Sequence, residues 1–159
     1  MKIGVVAKLH RAEFVPRLKE ILQWLHDRGC QTVVEKHAAR QLNLKGVAVA
    51  DRGDFPDLAD VIIVFGGDGT LLSMARLIRD RKARILGVNL GSLGFLTKIT
   101  LDELGPTLDC LLQGSYSIDR RRMLRAEIHG SASGVARHAL NDIVISNKGA
   151  LARIVRVGA

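Results

Sequence analysis

The alternation of short apolar runs with helix-period segments constrains the fold of this chain more than any other feature. Over residues 3–112, apolar runs such as 3–7 and 61–65 alternate with segments whose apolar residues recur at helical spacing. Continuous apolar strands are typical of parallel sheets that are covered by helices on both faces. We therefore predict an α/β fold with an open, mostly parallel sheet flanked by helices.

The same patterns place the individual elements. Strands are predicted at 3–7, 32–35, 61–65 and 84–88. Helical stripes predict a helix that ends before Gly29 and a second helix over 71–78. The Thr-Leu-Asp-Glu sequence at 100–103 matches a capping box and opens a helical segment over 101–112, which Gly105 and Pro106 should kink or interrupt. Residues 36–58 carry less pattern, with small elements predicted at 42–44 and 47–49.

The pattern changes after Gly114. Apolar runs at 124–128, 139–145 and 154–157 indicate strands with no helix between them. We therefore predict an α/β nucleotide-phosphate-binding domain over 1–120 and the start of a β-rich domain over 121–159. Because domains below ~40 residues rarely close a core without disulfides or metals, we expect this second domain to be truncated.

Composition and charge narrow the class of function. The chain is 47% hydrophobic and 25% charged, as is usual for soluble globular proteins, and its net charge of +8 favours anionic partners. One Trp, one Tyr and four Phe offer few platforms for stacking bases. The two cysteines form no metal or disulfide pattern, and no signal peptide or membrane-spanning run is evident. We expect a cytoplasmic protein that acts away from membranes and nucleic acid.

A glycine-rich loop follows the most strongly strand-like run. Gly66, Gly67, Asp68, Gly69 and Thr70 lie between the 61–65 strand and the next helix. In open α/β sheets, ligands bind beyond the carboxyl ends of strands, where glycine lets backbone N–H groups approach phosphate oxygens. A second glycine-bearing loop at 89–95 follows the neighbouring strand and could wall the same cleft. Phosphate is therefore the expected ligand.

Asp68 is the informative residue of the first loop, because a carboxylate repels phosphate. It could accept a proton during reaction, bind a sugar hydroxyl or hold a metal-bound water. The structural alternative is that Asp68 only caps the following helix. The sequence lacks both the P-loop pattern and the third glycine of the dinucleotide-binding fingerprint, so neither of those nucleotide sites is supported.

Four segments, in this order and spacing, resemble the NAD kinases: Gly-Gly-Asp-Gly-Thr at 66–70, Asn-Leu-Gly-Ser-Leu-Gly-Phe-Leu at 89–96, Arg-Arg-Met-Leu at 121–124 and Asn-Asp at 141–142. Lipid kinases and 6-phosphofructokinases share related glycine-acid loops, so the first segment alone is moderately specific. The 89–96 and 141–142 segments make the resemblance specific, and it spans the whole chain.

The resemblance implies transfer of a phosphoryl group from ATP or polyphosphate to the 2′-hydroxyl of the adenosine ribose of NAD, giving NADP, with a divalent metal ion such as Mg²⁺. It implies Asp68 as the catalytic acceptor of the hydroxyl proton, and Gly66, Gly67, Gly69 and Thr70 as the phosphate loop. It also implies an NAD site formed by Asp68, Gly69, Asn141, Asp142 and Arg153.

A complete NAD kinase continues into a β-rich domain that completes the NAD pocket and supports a homo-oligomer. No such segment occurs in this sequence, so we expect the 159-residue chain to be inactive alone. Two alternatives remain open. One is a lipid or sugar kinase with a related glycine-acid loop, and the other is a non-enzymatic basic module that binds nucleic acid.

Overall fold

The computed structural model describes residues 1–8, 13–91, 94–127, 136–140 and 142–143. The chain divides into two compact units, Met1–Arg121 and Arg122–Ala159. Among the described residues, none of the helices combines the length and the apolar character that a membrane span requires.

The first unit is built on a six-stranded sheet in which every neighbouring pair of strands is parallel. Its strands are β1 (Lys2–Ala7), β2 (Gln31–Glu35), β3 (Ala48–Ala50), β4 (Val61–Phe65), β5 (Arg84–Asn89) and β6 (Ile99–Thr100). Their order across the sheet is β3-β2-β1-β4-β5-β6, so the direction of winding reverses between β1 and β4. The predicted α/β fold is confirmed. In open α/β sheets, ligands bind beyond the carboxyl ends of the strands at such a reversal, here those of β1 and β4.

Five helices connect the strands: α1 (Phe14–Asp27), α2 (Lys36–Gln41), α3 (Phe55–Leu58), α4 (Asp68–Ile78) and α5 (Leu104–Leu112), with a 3-10 turn at Arg52–Asp54. The predicted end of α1 is confirmed, since Gly29 adopts a φ of 69° just after the helix. The apolar stripe of α1 faces the core, where Leu18 and Leu25 are fully buried.

The start of α5 confirms one prediction and corrects another. The Thr100 N–H donates to Glu103 Oε2 at 2.9 Å, and the Glu103 N–H donates to Thr100 Oγ1 at 3.4 Å, which are the two reciprocal bonds of the predicted capping box. The helix itself begins later than predicted, at Leu104 rather than Leu101, with Glu103 as its N-cap. The expected interruption at Gly105 and Pro106 is wrong, because the helix is continuous from Leu104 to Leu112. Both residues lie in the first turn, where N–H groups have no intrahelical acceptor and proline is tolerated.

Residues 36–58 contain more structure than their pattern predicts. The element expected at 42–44 is wrong, since these residues follow the six-residue helix α2, whereas the one expected at 47–49 corresponds closely to β3. A helix this short presents only one turn of apolar residues, here Ala38, Ala39 and the adjoining Leu42. Three apolar residues are too few for a helical periodicity to be recognised in the sequence.

The second unit contains a two-stranded antiparallel sheet. Strand β7 (Leu124–Ala126) pairs with β8 (Arg137–Ala139), with Leu124 opposite Ala139. The run at 124–128 thus correctly predicted a strand, but the one predicted at 139–145 is misplaced, because the strand ends at Ala139 and Ile143 lies outside any strand. The strand predicted at 154–157 lies outside the described residues.

The close approach of α3 to β1 generates a test of the core. A Cβ atom at Gly4 would lie 2.5 Å from the Phe55 ring, and Phe55 is fully buried. We expect Gly4→Ala to lower the free energy of unfolding by about 1–3 kcal/mol, the usual cost of overpacking. Urea unfolding measures this cost.

The matched control is Gly53→Ala, because no atom of the described residues lies within 4 Å of the Cβ position at Gly53. Equal stability of the two variants would show that the packing of Phe55 on Gly4 does not constrain the fold.

Candidate functional site

The loop after β4 lies at the reversal point of the sheet and is tied to the strands on both sides. The Gly66 N–H donates to the Val88 carbonyl of β5 at 2.9 Å, and the Lys8 N–H, just after β1, donates to the Phe65 carbonyl at 2.9 Å. Helix α4 begins immediately afterwards, at Asp68. The backbone of the loop is therefore anchored where a ligand of this fold class binds.

The glycines of this loop serve two different purposes. A Cβ atom at Gly66 would lie 2.6 Å from Thr70 Oγ1, so this glycine is required by packing against the first turn of α4. Gly67 and Gly69 are exposed, and among the described residues no atom lies within 4 Å of their Cβ positions. Internal packing does not require these two glycines, which leaves the backbone accessible to a ligand.

The Asp68 side chain connects this loop to the second glycine-bearing loop. Asp68 Oδ2 accepts a hydrogen bond from the Phe95 N–H at 2.9 Å. Asp68 Oδ1 accepts from the Leu96 N–H at 3.1 Å, the Thr97 N–H at 3.0 Å and Thr97 Oγ1 at 3.0 Å. The alternative in which Asp68 caps its own helix is wrong, because Gly67 holds the N-cap position and no side chain caps α4.

Gly94 allows this contact between the two loops. Its Cβ position would lie 2.7 Å from Asp68 Cγ and 2.9 Å from Thr97 Oγ1, so any side chain at residue 94 would collide with the carboxylate. The second glycine-bearing loop therefore contacts the first loop directly, through Asp68. That the two loops line one cleft stays a prediction.

Asn89 and Thr97 orient this arrangement, and the sequence analysis missed both as site residues. Asn89 Nδ2 donates to the Thr97 carbonyl at 3.3 Å and to Thr97 Oγ1 at 3.1 Å, while Asn89 Oδ1 accepts the Gly91 N–H at 2.7 Å. Since Thr97 Oγ1 accepts from Asn89, its single hydrogen is directed to Asp68. The sequence signal for Asn89 was an asparagine at the end of the predicted 84–88 strand, directly before a glycine-bearing loop.

Two opposing influences act on the Asp68 carboxyl. Desolvation, the largest single influence, raises its pKa, but the hydrogen bonds from Thr97, Leu96 and Phe95 together outweigh it. The net effect holds the pKa of Asp68 below its ordinary value. The carboxylate is therefore ionised at neutral pH and presents a fixed negative charge at the start of α4.

The remaining predicted site residues fall in the second unit. Asp142 is exposed there. Asn141 and Arg153 lie outside the described residues. The structure thus brings together Gly66, Gly67, Asp68, Gly69 and Thr70 in one loop and helix start, and adds Gly94, Thr97 and Asn89 to them.

Comparison with known proteins supplies the family. The model of the ATP-NAD kinase N-terminal domain matches residues 3–116. The chain belongs to the NAD kinase family. The matched residues include all of β1 except Lys2, strands β2 to β6 and both glycine-bearing loops. The residues that contact Asp68 therefore lie within the matched region.

Relatives in this family match nearly the whole chain. The chain is 50% identical to an NAD kinase of Geotalea daltonii over 155 residues and 48% identical to one of Geobacter sulfurreducens, in each case over 97% of this chain and 54% of the relative. The chain therefore spans about half the length of the curated relatives it matches.

A solved structure supports the fold independently of close sequence similarity. A yeast NADH kinase determined in complex with NADH superposes with a TM-score of 0.76, over 89% of this chain and 47% of that protein, at 19% identity. An identity this low supports the shared fold alone.

The hydrogen bonds to Asp68 predict how its titration responds to mutation. We expect Thr97→Val to raise the pKa of Asp68, because the variant loses the hydroxyl donor. A carboxyl group whose pKa is lower in the folded than in the unfolded state stabilises the fold at pH values above its unfolded-state pKa. This stabilisation is lost as the pH falls through the folded-state pKa. Thr97→Val should therefore also reduce the pH dependence of unfolding below about pH 4. Carboxyl-carbon NMR titration follows the pKa directly.

Thr100→Val is the matched control, since Thr100 lowers the pKa of Glu103 through its backbone N–H and its hydroxyl. It should raise the pKa of Glu103 and leave that of Asp68 unchanged. An Asp68 pKa that is unaltered by Thr97→Val would contradict the assigned hydrogen bonds.

Proposed function

We propose that this chain forms the phosphoryl-transfer part of an NAD kinase, which moves a phosphoryl group from ATP or polyphosphate to the 2′-hydroxyl of the adenosine ribose of NAD, giving NADP. Membership of the family supports the reaction. The observation that carries the proposal is the Asp68 carboxylate at the start of α4, directly beside the exposed backbone of Gly67 and Gly69.

The loop at 66–70 is proposed to hold the phosphates of the donor. The Thr70 N–H donates to the Gly67 carbonyl at 3.0 Å, but the N–H groups that precede it in α4 have no intrahelical acceptors. The helix dipole adds roughly half a positive charge there. Both favour a bound anion. Gly66 and Thr70 would set the shape of the loop, while Gly67 and Gly69 would allow the phosphate oxygens to approach the backbone.

Asp68 is the proposed acceptor of the proton from the ribose hydroxyl. Its two oxygens differ: Oδ1 accepts three hydrogen bonds from the described residues, whereas Oδ2 accepts one, from Phe95. Oδ2 therefore retains the greater capacity to accept a hydrogen bond from substrate. A lowered pKa keeps Asp68 in the ionised form that can accept a proton, in a class of reaction in which positioning and electrostatics dominate.

The chemistry of the donor set is compatible with Mg²⁺ carried by the substrate. Among the described residues, no three His, Cys, Asp or Glu side chains cluster in a way that could hold a metal ion. Mg²⁺ is commonly bound through substrate phosphates, water and only one or two carboxylates. Such an ion would neutralise charge on the transferred phosphoryl group, and the chain would contribute the loop that holds the phosphates.

The residues proposed to bind NAD are those that the family resemblance implies. Asp68 and Gly69 would bind at the ribose, and Asn141, Asp142 and Arg153 are further proposed NAD-binding residues. An amide can pair with an adenine edge, and a carboxylate can accept ribose hydroxyls. We further propose that the protein is a cytoplasmic homo-oligomer that binds neither nucleic acid nor membranes.

The comparisons favour this reaction over the alternatives. The family match is to the ATP-NAD kinase N-terminal domain, and the two relatives described above are NAD kinases. No observation favours a lipid acceptor, a sugar acceptor or a nucleic-acid partner.

Asp68→Asn in the full-length protein tests the proposed role of the carboxylate. The amide oxygen can keep the three donors at the Oδ1 position, but the amide nitrogen that replaces Oδ2 cannot accept a proton. We expect turnover to fall about 100- to 10,000-fold, with a much smaller change in NAD affinity. An NADP-forming assay and calorimetric titration with NAD provide the two readouts.

Asp27→Asn, at the exposed end of α1, controls for loss of a carboxylate as such. Near-normal turnover in Asp68→Asn would limit Asp68 to joining the two loops.

A further inference from the structure

An ion pair at the carboxyl end of β2 reaches the first turns of α4. Arg52 donates from Nε to Glu35 Oε1 at 2.8 Å and from Nη2 to Glu35 Oε2 at 2.9 Å. The Glu35 side chain is only 9% exposed. A forked pair of this kind fixes the plane of the guanidinium group, because two parallel hydrogen bonds define it.

The third nitrogen of the same guanidinium group points at α4. Arg52 Nη1 donates to Ser73 Oγ at 3.0 Å, and Ser73 Oγ donates to the Thr70 carbonyl at 3.1 Å. Because Ser73 Oγ accepts from Arg52, its single hydrogen is directed to the Thr70 carbonyl. The ion pair thereby acts on the residue that ends the glycine loop.

Thr70 transmits this constraint to the start of the loop. It is 7% exposed, and its side chain lies directly against Gly66, where a Cβ atom would come 2.6 Å from Thr70 Oγ1. The Gly66 N–H is in turn bonded to Val88 of β5. The loop is thus held by β5 at its first residue and by Arg52, through Ser73, at its last.

We propose that Arg52 is a positioning residue for the loop at 66–70 and acts through Ser73 and Thr70. Glu35 orients Arg52, and Arg52 does not itself contact the phosphoryl donor. Lysine cannot replace it, because a single ammonium group cannot bind both Glu35 oxygens and Ser73 in one plane. This inference rests on the proposed function only for its kinetic readout.

A kinetic experiment on the full-length protein measures the effect on donor binding. We expect Ser73→Ala and Arg52→Lys each to raise KM for ATP about three- to tenfold, the scale of one hydrogen bond. KM for NAD should stay within about twofold of wild type by the same scale. Because Arg52 acts through Ser73, KM for ATP of the double variant should equal that of the more severe single variant. It should not rise by the product of the two single increases.

Arg81→Lys is the matched control. Arg81 also pairs with a carboxylate, Asp57 at 2.9 Å, and donates to a carbonyl of α4, that of Leu77 at 2.9 Å, but at the far end of the helix. It should leave KM for ATP unchanged. An equal rise in Arg81→Lys, or no rise in Ser73→Ala, would overturn the proposal.

Hydrogen exchange in the absence of substrates separates this inference from the proposed function. Arg52→Lys and Ser73→Ala should each speed exchange of the Gly66, Thr70 and Leu71 amides about three- to tenfold, with exchange in α1 unchanged. Ser73→Ala leaves the partly buried Arg52–Glu35 ion pair intact, so it remains informative if Arg52→Lys fails to fold.

Unchanged exchange over 66–71 in Ser73→Ala, or equal acceleration in α1, would overturn the positioning role whatever the reaction is. Failure of the wild-type protein to form NADP from NAD and ATP would instead overturn the proposed function and leave the exchange result standing.

Discussion

The four hydrogen bonds that Asp68 accepts from residues 95–97 hold the candidate site together. They join the start of α4 to the second glycine-bearing loop, across 27 to 29 residues of sequence. Asn89 sets the direction of the Thr97 hydroxyl, and the absence of a side chain at Gly94 leaves room for the carboxylate. The position of the Asp68 carboxylate thus depends on the Asn89 amide, the Thr97 hydroxyl and Gly94.

The parallel sheet determines where that charge lies. All five residues of β4 are buried, and the strand lies between β1 and β5 where the winding direction reverses. The loop that leaves β4 therefore lies at the reversal point, and its backbone is held by contacts on both sides. On one side β5 holds Gly66, and on the other the Arg52–Glu35 pair reaches Thr70 through Ser73. Exposed glycine backbone and a fixed carboxylate, side by side, are suited to placing a phosphoryl donor next to a hydroxyl acceptor.

Much of this arrangement was predictable from local pattern. The apolar run of β4, the glycine loop and the capping box at Thr100 are each encoded within a few neighbouring residues. Asn89, Thr97, Arg52 and Glu35 were not recognised, because their roles depend on contacts between residues far apart in sequence. The position of β8 was missed for a related reason: Arg137 and His138 are polar, and pairing with β7 rather than an apolar run makes them a strand. The family resemblance supplied the reaction, which no local pattern specifies.

The most direct test of the account is to compare NADP formation by the Gly94→Ala and Gly105→Ala variants of the full-length protein. A methyl group at residue 94 collides with the Asp68 carboxylate, whereas among the described residues no atom lies within 4 Å of the Cβ position at Gly105. We predict that Gly94→Ala loses at least about 100-fold in turnover while remaining folded, because it displaces the proposed proton acceptor Asp68, and that Gly105→Ala retains wild-type turnover. Wild-type turnover in Gly94→Ala would contradict the claim that the contact between Asp68 and residues 94–97 organises the site.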